Sequence, residues 1–176
     1  RTRNPDQVQA ISMKLPRIAF INKMDKTNAD LKMSLNSIFK KLGSIPILIQ
    51  IPIYLGEKKQ FRGLVDLVSM DVLIWSGNSD KINEDCGKTF KRIPIVDIKK
   101  NTNDNNYAAL ADVIELATEF RVKLIDQLCD FDEDLAAAFL EKYDCDYNMV
   151  SEENIESALR TVALFRSGEA VVVCLG

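Results

Sequence analysis

The stretch Ala170–Leu175, AVVVCL, is six apolar residues with no polar interruption. A strand with water on one face alternates apolar and polar residues. One that does not alternate must be covered on both faces, and its usual place is the middle of a parallel sheet between layers of helix. This stretch therefore limits the chain to the α/β class.

A second run of the same kind, Arg17–Asn22, reads as a buried strand with Pro16 at its entry. About 150 residues separate the two runs, so a helix after the first and a mixed insert must fit between them. Leu31–Leu42 reads as an amphipathic helix, with Leu31, Leu35, Ile38, Phe39 and Leu42 on one stripe and Gly43 as its C-terminal cap. A strand at Ile47–Ile53 follows. Phe61–Val68, Met70–Trp75 and Thr89–Ile95 read as short antiparallel strands, the last reached through a polar loop, SGNSDKINEDCGK. After a polar linker, KKNTNDNNY, three helices are expected. The first is Ala108–Cys129, with Leu110, Val113, Ile114, Ala117, Phe120, Leu124 and Leu128 on its stripe. The second is capped by Asp132 and runs to about Tyr143, and the third is capped by Ser151. Acidic residues in the first turns of these two helices suit the positive end of the helix dipole.

The first strand ends abruptly in Asn22, Lys23, Met24 and Asp25. In open α/β sheets ligands sit beyond the carboxyl ends of the strands, which is where these residues fall. Guanine presents an N1–H and a 2-amino group side by side, and one carboxylate, Asp25, can accept both. Adenine has neither donor on that edge and would leave the acid unpaired. Asn22 can offer its amide to N7 and O6, and the stem of Lys23 can lie across the ring with its ammonium in water. A plain strand-to-loop turn remains the alternative reading, since Asn and Asp are turn residues in their own right.

Composition removes several other chemistries. The chain has no histidine, which excludes Ser-His and Cys-His nucleophile pairs. Cys86, Cys129, Cys145 and Cys174 lack metal-site spacing and read as free thiols. A net charge of −3 gives no evident basic surface for nucleic acid, no apolar run is long enough to span a membrane, and the N-terminal residues resemble neither a signal nor a transit peptide. Gly87-Lys88-Thr89 imitates the tail of a phosphate-binding loop, but Ile82 stands where that loop needs glycine. No D-x-x-G occurs. The acidic cluster Asp130, Asp132, Glu133 and Asp134 reads as a solvated helix start rather than a metal site.

PRIAFINKMDKTNADL, IPI…FRGLVDLV and VVVCLG together resemble the GTP-binding domain of the elongation factor G family of translational GTPases. Within it, LIWSGNSD…GKTF, DFDEDLAAAFLEKY and ALRTVAL lean toward the mitochondrial ribosome-releasing branch, and Met24 and Lys26 depart from the usual translocase residues. The resemblance implies part of a P-loop-type GTPase domain, a parallel sheet with helices, carrying an inserted mixed α+β subdomain. Residues 1–16 match poorly, 17–46 supply a GTPase strand and helix, 47–168 the insert, and 169–176 the last GTPase strand. It further implies that Asn22, Lys23, Met24 and Asp25 form the guanine-specificity motif for GTP or GDP, with magnesium held elsewhere in the parent protein. The implied partners are the mitochondrial ribosome and ribosome recycling factor, and the implied compartment is the mitochondrial matrix. The translocase branch, or a non-catalytic ribosome-docking module, is the alternative. Tyr54 stands where the family commonly has glycine. The phosphate-binding loop, switches and magnesium ligands would precede this chain and a Ser-Ala guanine motif would follow it. The 176 residues alone are accordingly expected to be catalytically inactive.

Overall fold

The fold was obtained as a computed structural model that describes residues 9–10, 12–13, 15–26, 28–56, 60–75, 87–100 and 110–176. Its elements in chain order are β1 (Ile18–Ile21), α1 (Leu31–Leu42), β2 (Ile45–Leu48), β3 (Gln50–Leu55), β4 (Gln60–Asp66), β5 (Asp71–Trp75) and β6 (Phe90–Pro94). They continue as α2 (Ile95–Lys100), α3 (Ala111–Cys129), α4 (Glu133–Glu141), α5 (Glu152–Phe165) and β7 (Ala170–Leu175). Residues 1–8, most of the polar loop after Trp75 with Cys86 and Ile82, and the linker through residue 109 lie outside the described residues.

The unbroken apolar run does sit in the middle of a parallel sheet. β7 pairs with β1 on one side and with β2 on the other, both parallel. Ala170, Val171, Val172, Val173 and Leu175 are buried, with α5 packed on β7 and α1 and α3 on β2. The second sheet is antiparallel, in the order β3-β4-β5-β6. Ile51, Val65, Val72 and Ile93 pair across all four strands and form one buried row. Both sheets share a single core with the helices. The chain is therefore α/β, with an antiparallel sheet and helical layer set between strands of the parallel one.

Two strand expectations need correction. The first strand is not buried: Ile18 and Phe20 are 67% and 62% exposed, because β1 is an edge strand and no described element covers the face those side chains share. The segment expected as one strand, Ile47–Ile53, is two. Ile45–Leu48 stays in the parallel sheet, and after Ile49 the chain enters the antiparallel sheet as β3. Apolar continuity cannot reveal such a change of sheet, because both halves are covered.

The helices follow their end signals closely. Asp30, Asp132 and Ser151 accept from the backbone N–H of Met33, Leu135 and Asn154, and Gly43 takes φ 67° behind α1. Phe39 departs from the expected stripe and is exposed. Helix α2 was not expected, since its six residues carry too little periodicity to register. On α3 the stripe holds, with one surprise: Arg121 is buried among the leucines. Its guanidinium donates to the carbonyls of Leu67, Val68 and Val150 at 2.5, 2.8 and 2.9 Å. It thereby ties the β4–β5 connection to the residue just ahead of the Ser151 cap.

Candidate functional site

Asn22, Lys23, Met24 and Asp25 form a turn at the carboxyl end of β1, beside the carboxyl end of β7. Gly176, just past β7, donates its N–H to Ile21 at 3.0 Å and accepts from the Met24 N–H at 3.5 Å. The turn is thus stitched to the central strand on both sides of Asn22 and Lys23. Lys26 N–H closes it by donating back to the Lys23 carbonyl at 3.2 Å.

Within the turn the four side chains diverge. Met24 points inward and is 2% exposed, an apolar anchor in the shared core. Asn22, Lys23 and Asp25 are exposed. Lys23 has φ 64°, the left-handed region that a side chain occupies only when its surroundings hold it there. Part of that hold is local: the Asn22 Oδ1 accepts from the Lys23 N–H at 2.7 Å. With its oxygen engaged by the protein, the Asn22 amide has its NH2 left as a donor. Asp25 is 56% exposed and pairs at 3.1 Å with Lys26, itself at the surface. Such exposed pairs are worth about 0–1 kcal/mol, so the carboxylate can exchange this partner for another at small cost.

The second sheet supplies two side chains that sequence reasoning did not place here. The Tyr54 hydroxyl, on β3, donates to the Met24 carbonyl at 2.9 Å. Gln50, at the start of the same strand, accepts the Leu175 N–H through Oε1 at 3.0 Å. Burial, and then the nearby Asp25 carboxylate, push the Tyr54 phenol above its ordinary pKa. The only hint in the sequence was the unusual residue at 54. That it reaches the turn depends on the switch of sheets after Ile49.

An open groove of about 540 Å³ lies elsewhere, between β1 and α1, lined by Ala19, Phe20, Ile21, Met33, Ser34, Ser37 and Ile38. None of the four motif residues lines it. Among the described residues no cluster of side chains is suited to hold a metal ion. Cys129, Cys145 and Cys174 are free thiols, and burial raises the pKa of Cys129 and Cys174. No helix of the described residues is long and apolar enough to cross a membrane.

Comparison with known proteins adds an independent observation. No family model matches the chain. It is 35% identical over 164 residues to the mitochondrial ribosome-releasing factor 2 of Pongo abelii, covering 93% of this chain and 19% of that protein. It is also 35% identical over 156 residues to elongation factor G of Amoebophilus asiaticus (strain 5a2), covering 89% of this chain and 18% of that one. A crystal structure of a protein from Thermus thermophilus superposes with a TM-score of 0.62 at 20% identity, covering 96% of this chain and 20% of that chain, and supports the fold. The chain thus spans about a fifth of the length of the curated relatives it matches.

Proposed function

We propose, for a chain similar along 93% of its length to a segment of mitochondrial ribosome-releasing factor 2 and along 89% to a segment of elongation factor G, that Asn22, Lys23, Met24 and Asp25 read the guanine base of GTP or GDP. In this reading the Asp25 carboxylate leaves Lys26 and accepts both the N1–H and the 2-amino group. The Asn22 NH2 donates to the N7 and O6 side, the Lys23 stem covers the ring, and Met24 anchors the turn from below. The observation that carries the reading is the Asp25 carboxylate, exposed at a strand's carboxyl end on a turn whose backbone is bonded to β7. Bound magnesium would offset the negative charge of the nucleotide phosphates in the parent protein. Nothing in this chain is assigned to that task.

The protein that carries this segment acts, in the same proposal, as a GTP-dependent factor on the mitochondrial ribosome, working with ribosome recycling factor to split ribosomes after termination. The names of the relatives support the releasing branch first. Elongation factor G relatives keep the translocase reading as the alternative. Residues 17–46 and 169–176 belong to the GTPase part and 47–168 to its insert, with residues 1–16 unassigned.

Asp25→Asn tests the base reading. One acceptor becomes a donor, so the full-length protein should lose GDP affinity and gain affinity for xanthosine diphosphate, which has a carbonyl in place of the 2-amino group. Unchanged preference between the two nucleotides would refute the assignment.

A further inference from the structure

We propose that Tyr54 is a positioning residue for base recognition: its hydroxyl, delivered from the antiparallel sheet, holds the Met24 carbonyl and so fixes where Asp25 meets the base. This rests on the guanine reading above and names a residue outside the motif that the reading requires.

The turn needs such a hold. Lys23 occupies the left-handed region, a conformation that persists only when neighbouring contacts over-determine it. The Met24 N–H bond to Gly176 is long, at 3.5 Å, so the shorter bond on the other side of that residue, Tyr54 to Met24 at 2.9 Å, is the firmer restraint. It is also the bond immediately before Asp25. A peptide plane free to rotate at Met24 would swing the following Cα–Cβ vector and carry the carboxylate off the paired donors of the base.

Tyr54 is itself held in place. Its ring meets Phe61 edge-on with centroids 6.1 Å apart. Phe61 stacks on Trp75 at 6.3 Å, and Trp75 contacts Phe90 at 5.7 Å. This aromatic row crosses all four strands, so the hydroxyl is aimed by packing that the whole sheet contributes. The pairing of β3 with β4 changes register between Ile53 and Tyr54, the kind of irregularity that re-aims a side chain. Asp132 offers a comparison outside the site: it caps α4, a helix that packs on α3 and α5, by accepting the Leu135 N–H. Its removal serves as a control for general loss of stability.

The test uses the full-length protein and its affinities for two diphosphates. GDP and inosine diphosphate differ by the 2-amino group alone, so the ratio of their affinities reports how well Asp25 is placed. Tyr54→Phe removes the hydroxyl and keeps the ring in its row. The ratio should fall about fivefold in Tyr54→Phe, the worth of one net hydrogen bond, while Asp132→Ala lowers the melting temperature and leaves the ratio near that of the unmodified protein. An unchanged ratio in Tyr54→Phe overturns the proposal, as does an equal fall in both variants. If the unmodified protein shows no preference for GDP over inosine diphosphate, the guanine reading itself fails, and the two failures are distinguishable.

Discussion

Arg121→Met removes the one buried cation of α3 while nearly preserving side-chain volume. Arg121 is 8% exposed, and its guanidinium donates three hydrogen bonds, to Leu67, Val68 and Val150. Hydrogen bonds to a charged group contribute about 1.5–3 kcal/mol each, so counting them singly would suggest a loss of about 5 kcal/mol or more. Two effects reduce that figure. The three bonds share one charge, and burying that charge costs several kcal/mol that the variant no longer incurs. Burial indeed lowers the Arg121 pKa, with Asp66 and Glu152 opposing from nearby. Methionine leaves three buried carbonyls without their donor, at about 1–3 kcal/mol apiece before relaxation. The net expectation is a destabilisation of about 3 kcal/mol, or a fall in melting temperature of about 6–12 °C for a domain of this size. Arg121→Lys should fall between, since an ammonium cannot bridge three carbonyls with one planar fork. Urea unfolding followed by circular dichroism measures both. If Arg121→Met lies within about 0.5 kcal/mol of the unmodified protein, the range of ordinary surface substitutions, Arg121 does not join the β4–β5 connection to the start of α5.

Three further outcomes are expected. At Gly63 an added Cβ would run into the Leu73 carbonyl oxygen on the paired strand, so Gly63→Ala should cost about 1–3 kcal/mol as an overpacked site, read from the urea midpoint. Asp132 is buried and caps α4 by accepting the Leu135 N–H at 2.8 Å. Asp132→Ala should therefore cost about 1–2 kcal/mol, with exchange protection lost first in the opening turn of α4. Purified as 176 residues alone, the chain should release no phosphate from GTP above background, and turnover that survives Asp25→Ala would contradict the division of labour proposed for the segment.

The sequence carried most of the helix ends, because capping is local chemistry: Asp132, Ser151 and Gly43 do in the fold what their residue types announce. It also carried the central place of β7, because an unalternated apolar run has few other homes. What escaped depends on partners distant in sequence. The break at Ile49 falls inside a run whose one polar residue is Gln50, and no glycine or turn cluster marks it. The exposure of Ile18 and Phe20 reflects what covers β1 rather than what β1 is made of. Arg121 interrupts an apolar stripe, and the stripe alone gives no reason to bury it; the reason is three carbonyls contributed by residues 29 to 54 positions away. At the candidate site the sequence marked Asn22, Lys23, Met24 and Asp25 as a group, and they do share one turn. Tyr54 reaches that turn only through the geometry of a second sheet, and no spacing rule records such a contact.

The most direct test of the account is the structure of the full-length protein with GDP bound. The account predicts both Asp25 oxygens within about 2.7–3.2 Å of the guanine N1 and 2-amino nitrogen, with Lys26 released and the Tyr54 hydroxyl still on the Met24 carbonyl. A base seated away from Asp25, with that carboxylate still paired to Lys26, would contradict it.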